Sequence, residues 1–476
     1  FSKIEKEKII KSFKILEFVL NRGEKVYGVN TGFGKLFDKV IDIKNLKDLQ
    51  NNLIYSHFAG YGDNVDDIFS YTALLIRLKQ LSLGYSGVSW DLIEYIKWYI
   101  QSGYVAFIPF YGSVGGSGDL IPLASIAASF INANKVKKIK NKQNIYSKED
   151  LNSFKFYEFK PKEAIAFING VAFSLSLFSF ANFIIEYLIR FSHFVFVLSL
   201  IANNVNYNHF NLELANTRGN KFFGIILKEI NNFLKGILKD LYKDYDLQAP
   251  YSYRCYPQIL ESFLLLVYNC FKLIDNELLT ASDNPLIING NFYSAGNFHG
   301  NTISTFSDHL KLHIFQVANI SYERQNHLLK PDFLTTEPGL NSGFMISHYL
   351  SAHLLNELKT YISPVSINNS PVSLYQEDFI THSELSVKNL LKSIKLAFKI
   401  LTMELIMSIQ KIKIKNQNID YEFLKKELLN YFELNVFNEV LKFPILNDSD
   451  LYLKYENMYN LHCAFIDKLK IIKFKI

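Results

Sequence analysis

Residues 112–118 read Gly-Ser-Val-Gly-Gly-Ser-Gly and lead into Asp119-Leu-Ile-Pro122. Such a loop is open to three uses. It can cradle a phosphate, but it lacks the Gly-Lys-Ser/Thr ending of a P-loop and the GxGxxG spacing that follows a strand. It can be a tight turn before a helix, because the small-residue segment Leu123 to Ala133 follows it. It can also react with itself. Glycine on both sides of Ser117 lets the chain fold back until the Gly118 amide nitrogen meets the Gly116 carbonyl carbon. Closure with loss of two waters, one from that carbonyl and one from the Ser117 side chain, leaves an exocyclic methylidene conjugated to an imidazolone. No standard side chain offers so strong an electrophile.

Other blocks stand along the chain. They are Tyr27-Gly-Val-Asn-Thr-Gly-Phe-Gly34, Ser56-His57-Phe-Ala-Gly60, Ile168-Asn169-Gly170 and Gln248-Ala-Pro-Tyr251-Ser-Tyr-Arg254-Cys-Tyr-Pro-Gln258. Further on come Ser282-Asp-Asn-Pro-Leu286, Gly296-Asn-Phe298-His299, Gly339-Leu-Asn-Ser-Gly-Phe-Met345 and Gln376-Glu377-Asp378. With residues 112–124, this series resembles the aromatic amino acid ammonia-lyases, in the family's order and over nearly the whole chain. The resemblance implies a methylidene-imidazolone (MIO) group formed from Gly116, Ser117 and Gly118, with no external cofactor. It also implies roles. Asn169 would hydrogen-bond the MIO oxygen, Tyr251 would take the β-proton, and Tyr27 would be a second tyrosine near the substrate. Arg254 would bind the substrate carboxylate through two parallel hydrogen bonds, with Gln248 and Phe298 lining the same pocket. Taken singly, each has a plainer reading: a buried Tyr or Phe is usually core, and an Arg is usually a surface cation.

Two positions bear on the substrate. The resemblance puts His57 where histidine- and tyrosine-acting members carry histidine. It puts Glu377 where histidine-acting members carry Glu and phenylalanine or tyrosine members generally carry Gln. A carboxylate facing an imidazole accepts its N–H, a charge-assisted bond worth about 1.5–3 kcal/mol. Facing a bare phenyl ring, it would be buried without a partner. The expected reaction is elimination of ammonia from L-histidine to give trans-urocanate. The alternatives are a tyrosine or phenylalanine ammonia-lyase, an aminomutase moving the amine from the α to the β carbon, and a catalytically silent relative. One departure touches the ring itself: the family usually has Ala where this chain has Gly116. The methyl takes no covalent part, so Gly116→Ala is expected to retain activity or raise the fraction of mature ring.

Apolar residues recur at helical spacing from Lys6 to Leu20, with Asn21-Arg-Gly23 as a stop signal. Long helical periods cover Ala164–Asn203, Phe222–Tyr242, Gln258–Leu279, Ser304–Leu329, Ser342–Tyr361 and Ser383–Ile414. The stretch from Asn141 to Pro161 is the most loop-like. The expected fold is mainly α, an elongated multi-helix bundle with a smaller N-terminal mixed domain over 1–84 and the bundle over 85–476. Several helices are too apolar for a monomer's surface, and the resemblance implies a homotetramer with sites built from more than one chain. Ala164 to Ile185 carries no charge and is long enough to span a bilayer. The Asn169 block at its start assigns it to a buried helix, and no membrane role is expected.

About half the residues are apolar (49%), enough for a sizeable core. Fifty-one Lys and Arg against 45 Asp and Glu leave a net charge of +6. The basic runs 135–142 and 468–476 contain no glycine and only one aromatic, Phe474, and no clustered basic face is evident, so no nucleic-acid partner is expected. Cys255, Cys270 and Cys463 make an odd set without CxxC spacing, which points to a reducing, cytoplasmic setting. His309 and His313 stand four apart without the intervening Glu of HExxH, and no metal is expected.

Overall fold

The computed structural model describes residues 1–132, 136–140, 143–145, 154–238, 247–431 and 448. The basic tail 468–476, Cys463, and parts of the basic run 135–142 and the loop-like stretch 141–161 lie outside those residues.

Long apolar faces need partners, and three of the helices find them in one another. Asn301–Leu328 packs along Ser383–Ile414, which packs in turn on Ala172–Ala202 and on Met345–Tyr361. The three central helices run parallel. At one end the Ser174 and Ser383 hydroxyls lie 3.1 Å apart, and Ser386 Oγ donates to the Ser304 carbonyl at 3.1 Å. At the other end Gln417 Nε2 reaches the Ile201 carbonyl (2.9 Å) and Lys411 Nζ the Leu328 carbonyl (2.9 Å). Around this centre lie Asp67–Leu81, Lys221–Ile237 and Tyr256–Leu278. The first helix, Lys3–Asn21, starts from a Ser2–Glu5 capping box.

The fold is mainly α, with fourteen α-helices among the described residues. Strands are few and short. Tyr61–Asn64 pairs with Pro109–Tyr111, and Leu286–Ile288 pairs with Asn291–Tyr293. A third sheet orders Tyr104–Ala106, Val136–Lys140 and Gln143–Ile145. All these pairings are antiparallel. The main apolar core crosses residue 84 without a break, joining Ile9, Leu53 and Phe69 to Leu396 and Leu428. A smaller cluster of Leu16, Leu20, Val26, Val29, Leu46 and Ile287 lies beside the Tyr27 loop.

The sequence periods place most helices to within a few residues, and Ser383–Ile414 at both ends. One expectation fails. The continuous helix over Ala164–Asn203 is two helices, Glu163–Ile168 and Ala172–Ala202, because Asn169 is extended and Gly170 takes φ +150°. Ala172–Ala202 is a core helix: 83% of its most apolar 18-residue window is buried inside the protein.

A fully buried ion pair ties two of the central helices together. Arg324 Nε and Nη2 meet Glu404 Oε1 and Oε2 at 2.5 and 2.8 Å, a two-pronged contact with no solvent exposure on either side. Removing one member strands the other charge in the core, at a cost of about 3–5 kcal/mol. Glu404→Leu should therefore lower the denaturant midpoint sharply. The Arg324→Met/Glu404→Leu pair should recover most of that loss, and equal midpoints for Glu404→Leu and the unaltered protein would refute the assignment.

Candidate active site

The loop at 112–118 is fixed by close backbone approach. Gly118, at φ +77°, pairs with Gly170 in a parallel bridge, and the Asp119 N–H donates to the Gly170 carbonyl at 2.7 Å. A Cβ on Gly118 would lie 2.4–2.6 Å from Gly170 backbone atoms, so no other residue fits there without displacement. A strap over residues 380–384 holds the loop from the other side. Thr381 Oγ1 donates to the Gly115 carbonyl (3.0 Å) and the His382 N–H to the Val114 carbonyl (2.8 Å). Glu384 Oε2 accepts the Ser113 N–H (2.8 Å), and Lys388 pairs with the same carboxylate.

All three central helices begin here. The Gly300 N–H, at the start of Asn301–Leu328, donates to the Gly115 carbonyl at 3.2 Å. Ser174, in the first turn of Ala172–Ala202, gives its N–H and its hydroxyl to Asp119 at 2.7 and 2.6 Å. Ser113 Oγ adds a third bond to that carboxylate at 2.9 Å. Burial pushes the Asp119 carboxyl up, and these donors pull it back. Each helix N-terminus carries roughly half a positive charge, so the loop sits in a field that favours anions.

Asn169 stands at the helix break, and its Nδ2 donates to the Ser117 carbonyl at 2.7 Å. Arg77 holds it from behind. The buried guanidinium donates to the Asn169 carbonyl at 2.8 Å, and also to the Ala166 carbonyl, Gln80 and Ser282. Burial lowers its pKa to about 10, which leaves it charged at neutral pH.

Ser117 and Gly118 line a cavity of about 260 Å³ together with Ser56, His57, Ser113 and Glu377. His57 Nδ1 lies 2.8 Å from the Leu53 carbonyl. A carbonyl can only accept, so Nδ1 carries the hydrogen and Nε2 keeps a lone pair. Burial lowers the His57 pKa, opposed by the Leu53 bond and by Glu377. Tyr27 is half-buried nearby, and its hydroxyl accepts the Gly34 N–H at 3.2 Å. A Cβ on Gly34 would lie 2.5 Å from Ser373 Oγ, in the turn whose Val372 bridges Glu377. Phe298 is half-buried two residues before Gly300.

Gln248, Tyr251 and Arg254 are elsewhere. Tyr251 is 70% exposed, with the Arg254 guanidinium 4.9 Å from its ring centre. The turn that carries them is pinned where Ala172–Ala202 ends: Tyr253 Oη bonds Ser199 and Asn203, and Arg324 Nη1 donates to the Ser252 carbonyl. Asn169 lies before the first residue of that helix and Asn203 after its last, so about 45 Å separates the two groups at 1.5 Å per residue. One chain brings Ser117, Asn169, His57 and Glu377 together, with Tyr27 alongside, and does not bring Tyr251, Arg254 or Gln248 to them.

Sequence reading missed Arg77 and Glu384. Arg77 had a signal, a lone cation on the apolar face of Asp67–Leu81. Glu384 acts through its bond to the Ser113 N–H, distant in sequence. Gly118→Ala should force the loop away from Gly170 and break the Asp119–Gly170 bond. Amide exchange at Asp119 should then rise by about tenfold or more, since an opened hydrogen bond exposes its N–H. Unchanged exchange would mean the approach is not tight.

The family model for aromatic amino acid lyases matches residues 2–431. Histidine ammonia-lyase of Geobacillus thermodenitrificans is 31% identical over 416 residues, covering 86% of this chain and 82% of that one. Among solved structures, histidine ammonia-lyase from Trypanosoma cruzi superposes with TM-score 0.79 at 26% identity, covering 90% of this chain and 83% of that one. The ergothioneine-degrading enzyme ergothionase from Treponema denticola superposes with TM-score 0.89 at 22% identity, over 98% and 94% of the two chains, a likeness of fold. With a match over that length, the protein belongs to the aromatic amino acid lyase family and is a carbon–nitrogen lyase.

Proposed function

We propose that this lyase eliminates ammonia from L-histidine to give trans-urocanate, using an MIO ring formed from Gly116, Ser117 and Gly118. The observation that carries the reading is the cavity in which Ser117 meets both His57 and Glu377, with Asn169 Nδ2 2.7 Å from the Ser117 carbonyl. The residues present fit such a ring. Ring closure consumes the Gly116 oxygen and the Ser117 hydroxyl but keeps the Ser117 carbonyl oxygen, and that is the atom Asn169 holds. Gly118, at positive φ, is already turned back on the loop.

When formed, the ring supplies an electrophilic carbon for the substrate's amino group. The chain's own groups do the rest. Asn169 draws electron density toward the Ser117 oxygen, and a donor placed this way is often worth about 3 kcal/mol. Glu377 accepts an imidazole N–H of the substrate, and His57 Nε2 offers a second acceptor across the cavity. The helix N-termini behind the loop favour the negative charge that develops during elimination. Arg254 binds the carboxylate and Tyr251 takes the β-proton. Both stand about 45 Å from Ser117 in their own chain, so the reading requires them from other copies. A homotetramer in the cytoplasm, with each site shared between chains, satisfies that requirement.

Glu377→Gln tests the substrate. It keeps the shape but removes the charge that pairs with imidazole, so kcat/KM for histidine should fall by about 10- to 100-fold, the equivalent of about 1.5–3 kcal/mol. Turnover of phenylalanine or tyrosine should change far less. Parallel losses on all three amino acids would leave Glu377 without a role in selection.

Shared sites make a separate prediction. Ser117→Ala and Tyr251→Phe should each be inactive alone, the first because alanine has no hydroxyl to lose. Mixed by co-expression, the two variants should regain part of the wild-type rate, because some sites combine an intact Ser117 with an intact Tyr251. Mixed assemblies as inactive as the parents would refute the sharing.

A further inference from the structure

We propose that Ile380 is the positioning residue for ring closure, its γ2 methyl taking the place of the methyl that Gly116 lacks. The proposal rests on the ring reading given above. A Cβ built on Gly116 would lie 2.7 Å from Ile380 Cγ2 and 3.4 Å from Ile380 Cβ. Real carbons do not approach so closely, so the space is already filled. It is filled from the strap rather than from the loop.

Ile380 is held to that task. Its side chain is buried, at 1% exposure. Asn369 pins the backbone on both sides, accepting the Ile380 N–H through Oδ1 (3.1 Å) and donating to the Asp378 carbonyl (2.7 Å). The next residue, Thr381, donates to the Gly115 carbonyl and accepts from Ser304 Oγ at 2.7 Å. A β-branched side chain on such a backbone has little rotamer freedom, so Cγ2 cannot swing away. The strap therefore presses a fixed methyl onto Gly116.

The step this serves is balanced within the chain. The Gly118 nitrogen bonds to the Gly116 carbonyl carbon. That carbonyl's oxygen leaves as water with the Gly118 and Ser117 amide hydrogens, forming a carbon–nitrogen double bond. Ser117 then loses its hydroxyl and its α-hydrogen as a second water. Closure needs the Gly116 carbonyl carbon held against the Gly118 nitrogen, and a free glycine resists being held. Replacing Gly by Ala in a compatible place restricts a chain by about 2- to 5-fold in an equilibrium. Here contact with Ile380 supplies the restriction, and an added methyl would collide with it. The sequence-based expectation that Gly116→Ala retains activity or raises the ring fraction is accordingly reversed.

The experiment follows ring formation by mass. Cell-free synthesis of the full chain is sampled over time, and the peptide containing residues 112–124 is weighed at full mass or lighter by two waters. Helix content and assembly are checked in parallel. Gly116→Ala should mature several-fold more slowly than wild type, by crowding. Ile380→Ala should also be slower, by loosening. Gly116→Ala/Ile380→Ala should return to within about twofold of wild type, far from the product of the single effects, as directly contacting residues do. Should Ile380→Ala fail to fold, Ile380→Leu replaces it. Leucine keeps the volume but has no γ2 methyl, so Gly116→Ala/Ile380→Leu should mature faster than Gly116→Ala. Multiplying rates, or a Gly116→Ala chain that matures like wild type, would overturn the role of Ile380 while leaving the ring intact. A wild-type peptide found only at full mass would overturn the ring and this role together.

Discussion

The contact between Gly118 and Gly170 is the constraint to which the site is built. Two backbones meet where a single Cβ on either would collide, on Gly118 with Gly170 itself and on Gly170 with Ser282 and Arg77. To allow this, the chain gives up a helix. Glu163–Ile168 stops, Gly170 takes a conformation that side chains rarely adopt, and Ala172–Ala202 starts afresh. The break turns the Asn169 amide toward Ser117 and leaves its carbonyl without a helical partner. Arg77 satisfies that carbonyl from the neighbouring helix. A buried cation is expensive unless its donors are satisfied, and here the two terminal nitrogens bind carbonyl and side-chain oxygens, while Nε has no partner.

The same contact explains the orientation of the central helices. With Ala172–Ala202 starting at the break, Asn301–Leu328 and Ser383–Ile414 run parallel to it and begin within reach of the same loop. Side-by-side parallel dipoles repel, and antiparallel packing would relieve this. The arrangement persists because apolar burial along about 45 Å of helix outweighs a dipole term of about 0.3–1 kcal/mol per end. Asp119 offsets part of the accumulated positive charge by taking two donors from Ser174. Glu384 accepts the Ser113 N–H, and its own charge is balanced by Lys388.

Helix positions were legible in the sequence because an apolar face repeats every 3.6 residues, whatever it packs against. The break at Asn169 was not, since Ala164 to Ile168 and Val171 onward carry apolar patterns that join without a gap. Only the Asn-Gly pair marks it, and such a pair inside an apolar run is a weak signal. The residues Ser117, His57, Asn169 and Glu377 were legible as members of blocks, and they meet in one place. The blocks could not show that Tyr251 and Arg254 lie at the far end of the bundle, because spacing along a chain carries no distance across it. Ile380 was illegible for the same reason: its importance lies in what Gly116 lacks, 264 positions earlier, a relation that appears only when the two are built side by side.

That spatial division separates two requirements. Everything that shapes the 112–118 loop belongs to one chain: Gly170, Asn169, Thr381, Glu384 and the starts of the three central helices. None of it involves the Tyr251 end. On the reading proposed above, making the electrophile is therefore a property of the folded subunit, while elimination also requires surfaces from other copies. The Tyr251 turn suits the second task. It is anchored inward by Tyr253 and by Arg324, whose own charge is neutralised by Glu404, and it presents Tyr251 outward. An exposed tyrosine on a rigid, deeply rooted turn costs its own chain little, yet it can enter a neighbouring cavity with almost no ordering still to be done. Rigidity at both ends, joined by helices that run without a break between them, lets two sets of groups remote in one chain be placed to within an ångström in an assembly.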